Sequence, residues 1–348
     1  MKVVKFLSKI LLFVLIVMAS FILVLTLSFY NPKPIEPAKI YANDRDELIN
    51  LDQSYSVTSF NIGYAGLDSS MDFFMDGGSK VRPDSRAQVE ENLDGIGGLL
   101  KDLNSDFYLL QEVDEKSSRT YKINQVEYLN SDYNKSFAYN YKVLYVPYPL
   151  PTMGSIQSGL MTMSKAKIEE AQRYDLYNPF SWPTKIANLN RGLLVNSYKI
   201  AGSDKMLHMV NLHMDAYDEG DGRKIQTKQL VDFMEEKYQK GDYVIAGGDF
   251  NQLLPGIEDR FKNENKDFWE PKKLALDDVG EDFSFGVDKE NPTCRSLHQA
   301  YDGSEEFLQY YIDGFLLSPN VSVEEVGVLK EDYRYSDHNP IRMTFKLD

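Results

Sequence analysis

The longest apolar stretch opens the chain. Ile10 to Phe29 reads ILLFVLIVMASFILVLTLSF and carries no charge. Wound as a helix at about 1.5 Å per residue, it would cover about 30 Å, the thickness of a bilayer core. Lys2, Lys5 and Lys9 precede it, which favours an N-terminus on the cytoplasmic side. A cleaved signal peptide is the competing reading, but the run is long for a signal core and no A-x-A-like site follows. The expected organisation is a short cytoplasmic segment at 1–9, a transmembrane signal anchor at 10–30, a Pro-containing stalk at 31–53, and one globular domain at 54–348 outside the cytoplasm.

Beyond the stalk the pattern becomes that of a folded domain. Tyr55–Ile62 alternates and is rich in β-formers, so it reads as a strand. Pro83–Leu103 reads as a helix, with Val89, Leu93, Ile96, Leu100 and Leu103 on one stripe and Asp84 or Ser85 as its cap. Strands follow at Asp106–Val113, Ser158–Met163, Leu193–Tyr198 and Met206–Leu212. Arg223–Lys240 is helical in pattern, with Leu230, Phe233, Met234 and Tyr238 on one side. Asp242–Ala246, Tyr311–Leu317 and Ile341–Leu347 are late strands, and Glu258–Asp282 is charged and loop-rich. There is no internal repeat. Strands outnumber helices without strict βα alternation, which predicts two packed sheets flanked by helices rather than a doubly wound sheet.

Length and charge narrow the function. The 348 residues suffice for one large domain or two small ones. The net charge is −15, and setting aside the three N-terminal lysines leaves about −18 on the remainder. Such a domain repels nucleic acid outside any local basic groove. Cys294 is the sole cysteine, so an internal disulfide and a thiolate zinc site are both excluded. Only four histidines occur, at 208, 213, 298 and 338.

Six short motifs end or follow strand-like runs with groups suited to metal or phosphate: Ser59-Phe60-Asn61, Leu110-Gln111-Glu112, Asn211-Leu212-His213, Gly248-Asp249-Phe250-Asn251, Tyr311-Ile312-Asp313 and Ser336-Asp337-His338-Asn339-Pro340. Each has an ordinary structural reading: Gly-Gly-Asp is common turn chemistry, and a strand-end carboxylate is usually a solvated rim residue. Asp249 at a strand end can orient or deprotonate water, and Asn251 can donate to a phosphate oxygen without adding charge. Glu112 can hold a hard cation, which prefers oxygen ligands, with Asn61 in support. Asp313 lies inside an apolar strand and needs a partner, for which a histidine is the natural choice.

Taken together, the order Asn61, Gln111-Glu112, His213, Asp249-Phe250-Asn251, Asp313, Asp337-His338 resembles the endonuclease/exonuclease/phosphatase superfamily, over about Ser54 to Asp348. The superfamily includes DNases, abasic-site endonucleases, inositol-polyphosphate phosphatases and sphingomyelinases. The resemblance implies an α/β fold, a four-layer αββα sandwich of two mixed β-sheets. It implies Mg²⁺, with Mn²⁺ as an alternative, held by Glu112 with Asn61 and Asp337. Asp249 would activate water, His213 and Asn251 would hold the phosphate, and His338 paired with Asp313 would serve as general base or cationic stabiliser. Arg191 stands where a further phosphate-binding residue is expected.

The function expected is a membrane-anchored, metal-dependent phosphoester hydrolase, a phosphodiesterase or phosphatase acting on phospholipid or small phosphoesters. A surface nuclease using the same site is the alternative, disfavoured by the acidic charge, and a catalytically inactive binding module ranks below both. The membrane is the expected partner through the N-terminal helix, and no obligate protein partner is evident. Two aromatic stretches, Tyr139–Pro149 and Tyr177–Pro183, suit either a lipid or substrate interface or Pro-pinned loops packed on the domain. Phe73–Gly78 is a candidate cleft-lining loop.

Overall fold

The computed structural model describes residues 2–129, 132–216, 222–257, 269–274, 279–280, 282–304 and 306–348. Most of the expected loop-rich segment Glu258–Asp282 lies outside these residues.

Four α-helices are described: α1 (Lys2–Leu27), α2 (Arg86–Leu103), α3 (Gln125–Tyr128) and α4 (Gly222–Tyr238). The first nine strands are β1 (Ile35–Pro37), β2 (Lys39–Ala42), β3 (Ser54–Asn61), β4 (Phe107–Asp114), β5 (Asn134–Val146), β6 (Gly154–Ser164), β7 (Glu170–Asp175), β8 (Gly192–Lys199) and β9 (Met206–His213). The rest are β10 (Tyr243–Asp249), β11 (Gln252–Leu253), β12 (Lys272–Lys273), β13 (Ser284–Gly286), β14 (Cys294–Arg295), β15 (Gln309–Tyr310), β16 (Asp313–Leu317), β17 (Val321–Val328) and β18 (Ile341–Leu347).

Two seven-stranded sheets face each other, in the orders β1-β7-β8-β9-β10-β16-β13 and β17-β18-β3-β4-β6-β5-β2. Each is mixed: β9–β10 and β3–β4 are parallel, and their neighbours are antiparallel. Between the sheets, Val57, Phe107, Leu109 and Phe345 pack against Tyr198, Met209, Ile245 and Phe315. Helix α2 covers one outer face with Val89, Leu93, Ile96 and Leu100, and α4 covers the other with Leu230, Phe233 and Met234. The result is the expected αββα sandwich. Ser85 caps α2 by accepting from the Gln88 N–H, and Leu103 and Tyr238, at the helix ends, are only half-buried.

Polar side chains also cross the sandwich. The Gln111 amide donates to Asn211 Oδ1 (2.8 Å), and Asn211 Nδ2 donates to the carbonyls of Leu110 (3.1 Å) and Met161 (3.0 Å). A buried amide must find partners, and this pair pins the two central strands β4 and β9 next to the site.

The structure departs from the sequence expectations in four places. Part of the stalk at 31–53 belongs to the domain: β1 pairs with β7, β2 pairs with β5, and Ile49 is buried in the inter-sheet core. Tyr139–Val146 is strand, the outer half of β5, not loop. Gly247 and Gly248 continue β10 rather than forming a turn. A Cβ on Gly248 would lie 2.0 Å from the Leu212 carbonyl oxygen, so only glycine lets β9 and β10 approach there. Tyr311 and Ile312 precede β16, which begins at Asp313.

Candidate active site

Strand register assembles the centre. Asp249, the last residue of β10, stands opposite His213, the last of β9, and opposite Asp313, the first of β16. In the facing sheet, Asn61 ends β3 beside Gln111 of β4. The loop before β18 closes over this edge, and Ser336 Oγ donates to the Asn61 carbonyl (2.8 Å).

Glu112 reaches the cleft through a backbone irregularity. Strict alternation would send it outward with Tyr108 and Leu110, toward α2. The β4–β6 register shifts between Leu110 and Val113, and Glu112 has φ 54°. This bulge turns the carboxylate inward.

Asn61 lies at the hub. Its Nδ2 donates to Asp249 Oδ2 (3.1 Å) and more weakly to Glu112 Oε1 (3.4 Å), and it lies 3.4 Å from His338 Nε2. His213 Nε2 lies 3.3 Å from Asp249 Oδ2, and its Nδ1 lies 4.0 Å from Glu112. His338 Nδ1 meets Asp313 Oδ2 at 2.8 Å, and its Nε2 points at Asp249 Oδ2 from 3.7 Å. Asn251 places its N–H on Asp249 Oδ1 (2.9 Å) and its Nδ2 on the Met214 carbonyl (2.9 Å). Arg191 is buried beside Asp215, with Nε at 3.5 Å.

Electrostatics separate these groups. Burial, reinforced by the Asp313 charge, raises Asp249 to about 7. Burial raises Asp337 to about 6, with Glu112 adding to the shift. Burial pushes the other way on the histidines, and their neighbours decide the outcome. His213 falls well below its ordinary value, helped by Arg191 and His338, so its imidazole is neutral. For His338 the Asp313 carboxylate outweighs burial and holds it well above that value.

The expected residues converge. Asn61, Glu112, Arg191, His213, Asp249, Asn251, Asp337 and His338 all line one cleft of about 770 Å³, with Asp313 behind His338. Residues given no role from sequence join them. Tyr64 lies under the Arg119 guanidinium at 3.6 Å, and Arg119 is paired with Asp114. The Tyr64 hydroxyl and Asn140 Nδ2 are buried without a hydrogen-bond partner among the described residues. Cys294 forms a β-bridge with His338, and burial pushes its thiol up to about 12, so it is a neutral group there. Tyrosine, asparagine and arginine inside ordinary loops and strands give no sequence signal of this kind. Arg119 is itself buried.

A hard cation suits the donor set. Glu112, Asp337 and Asn61 offer oxygen ligands, and among the described residues no lysine or arginine forms an ion pair with either carboxylate. Gly63 (φ 50°) keeps the space open: a Cβ there would lie 2.7 Å from Asp337 Oδ1. Two groups, Asp249–Asp313–His338 and Cys294–Asp337–His338, cluster closely enough to share an ion; Glu112 belongs to neither.

The endonuclease/exonuclease/phosphatase family profile matches residues 58–338, from β3 to the second site histidine. The chain belongs to this family. Its members are phosphoester hydrolases, typically dependent on a divalent metal. Solved structures share the fold at low identity. An endonuclease/exonuclease/phosphatase from Beutenbergia cavernae has a TM-score of 0.57 at 16% identity, over 85% of this chain and 72% of that one. A protein of unknown function from Enterococcus faecalis gives 0.56 at 14%, over 84% and 100%. D. rerio TDP2 complexed with a single-strand DNA product gives 0.52 at 14%, over 85% and 100%. No curated protein matches the chain.

Proposed function

We propose that the protein is a membrane-anchored, Mg²⁺-dependent phosphoester hydrolase acting outside the cytoplasm, on phospholipid or small phosphoester substrates. The observation that carries this reading is the register that sets Asp249 between His213 and Asp313, with His338 held by Asp313 and aimed back at Asp249. Helix α1 supports the anchor, being long and apolar enough to span a bilayer.

Each residue then has a role that its environment favours. Glu112, Asp337 and Asn61 would hold the cation, which when bound polarises a phosphoryl oxygen and neutralises charge on the leaving oxygen. Asp249, raised to about 7, is suited to take the proton of the attacking water. The water oxygen bonds to phosphorus as the ester P–O bond breaks. His338 is kept cationic by Asp313, so it serves as the charge stabiliser of the phosphorane-like state rather than as the base. Neutral His213 and the Asn251 amide donate to the phosphate oxygens, and Arg191 adds positive charge behind His213.

The test uses the full-length chain in detergent, with Mg²⁺ or EDTA, against DNA, RNA, phospholipids and soluble phosphoesters, with His338→Ala as control. Metal- and His338-dependent release from lipids or small esters supports the reading. Cleavage of nucleic acid alone would make the protein a surface nuclease, and silence throughout would leave a binding module.

A further inference from the structure

The site proposed above has a lipid-facing mouth. We propose that the β5–β6 hairpin and the loop leading into the 184–187 turn lie in the bilayer beside α1, so that the cleft opens onto the membrane. Its substrate is then an amphiphile whose phosphoester reaches the polar floor while its apolar tail stays in lipid. This substrate class rests on the proposed hydrolase chemistry; the insertion itself does not.

Contacts between the anchor and the domain place the membrane. The Phe21 ring meets the Tyr145 ring edge-on at 6.2 Å, Trp182 Nε1 donates to Thr26 Oγ1 (3.2 Å), and Lys185 Nζ lies 5.2 Å from the Phe29 ring centroid. The domain therefore runs alongside the last turns of α1 instead of starting beyond its end. Phe21 precedes Leu27, the last residue of α1, by six residues, or about 9 Å of helix, in an apolar span of about 30 Å. A side chain touching Phe21 is inside the hydrocarbon layer.

The hairpin is built for that depth. Leu144 to Met153 contains no charged residue. Leu150 is 85% exposed, Tyr148 71% and Trp182 58%, a costly arrangement in water and a favourable one at a lipid interface. Lipid offers no partner for a free backbone N–H. The β5–β6 ladder, with a bulge between Val143 and Val146, reaches Val146 opposite Gly154, and Pro147, Pro149 and Pro151 remove three donors from the turn beyond it. The same elements wall the cleft: Val146, Tyr148, Phe180 and Leu189 form an apolar ramp between the exposed tip and the Asp249 floor.

The experiment uses the full-length protein in phosphatidylcholine vesicles. An environment-sensitive fluorophore is placed at Leu150→Cys and, as control, at Ser203→Cys in the turn at the opposite end of the sandwich; Cys294 is buried and does not compete. Quenching by nitroxide on the lipid acyl chains at 150 and not at 203 is expected; absence of quenching at 150 overturns the insertion. Leu150→Asp is then expected to lower hydrolysis of vesicle phospholipid at least tenfold, while turnover of the water-soluble bis(p-nitrophenyl) phosphate is unchanged. An unchanged lipid rate, or an equal fall in both, overturns the lipid mouth. A wild type that cleaves the soluble diester and no vesicle lipid overturns the substrate class. A wild type that cleaves neither ester overturns the hydrolase reading and the substrate class with it, and the quenching result still decides the insertion.

Discussion

At the floor of the cleft, Asp249, His213 and Asp313 occupy adjacent positions on three hydrogen-bonded strands. At its rim, Tyr148, Leu150 and Trp182 stand exposed on a hairpin tip and a loop. The floor is polar, buried and held by two ladders and a network of short contacts. The rim is apolar: Tyr148 packs edge-on against Phe74 of the domain, and Trp182 reaches Thr26 at the end of α1. The contrast teaches where each region draws its stability. Charged groups can be concentrated in a buried floor only because register and hydrogen bonds leave them no alternative neighbours. A cluster of large apolar side chains left exposed on a rim marks a surface that something other than water meets.

Substitutions at the floor should break the chemistry and leave the rim intact. The largest effect is expected at Asp249→Asn and His338→Ala, each lowering kcat/KM for a soluble phosphodiester by about 10³-fold or more, as the loss of a general base or a charge stabiliser does. Retained circular dichroism and retained vesicle binding would show that only the floor was damaged. Next, Glu112→Gln should weaken Mn²⁺ binding, read by calorimetry, by at least about tenfold, and EDTA should abolish turnover in the wild type. Unaltered Mn²⁺ affinity would remove Glu112 from the cation site.

Asp313→Asn should be milder, about 10- to 100-fold, and it carries a signature in pH. Asp313 holds His338 charged well above the ordinary histidine range. If turnover needs the cation, the alkaline limb of kcat/KM lies above that range in the wild type and moves to lower pH in the variant. A limb that stays in place would separate His338 from Asp313.

The smallest effect concerns stability. The folded pKa of Asp249 is raised to about 7, above an unfolded value of about 4. The folded state therefore binds this proton more tightly, and the stability it contributes is present below pH 4 and lost as pH rises to 7. Without metal, Asp249→Asn should melt higher than the wild type above pH 7, with the difference vanishing below about pH 4. Thermal melts in EDTA across that range check it, and an unchanged difference would mean the carboxylate is not destabilised by burial.

Much of the fold was legible in the sequence because local signals and tertiary packing agree. The β-former run of β3, the apolar run of β4 and the apolar stripe of α2 all enter the buried core. The failures share one cause, long-range pairing that overrides a weak local pattern. Residues 35–42 are short and interrupted by Pro37, so they do not read as strand, and they become strand because β5 and β7 offer edges. Tyr139–Val146 looked like a loop beside its prolines until β6 paired with it. Arg119 and Tyr64 gave no signal as site residues, because nothing in their types or spacing announces a cleft.

The sequence by itself determined the inventory and the order: an apolar helix, then Asn61, Glu112, His213, Asp249, Asn251, Asp313, Asp337 and His338 at or near strand ends, and with them the family. Only the tertiary structure decided that Glu112 turns inward through a bulge, that His213 is neutral while His338 is charged, and that the apolar rim lies against α1. Residue type is a local property of the chain. A side chain's direction, its protonation and its neighbours depend on burial and on charges brought together from positions far apart in sequence.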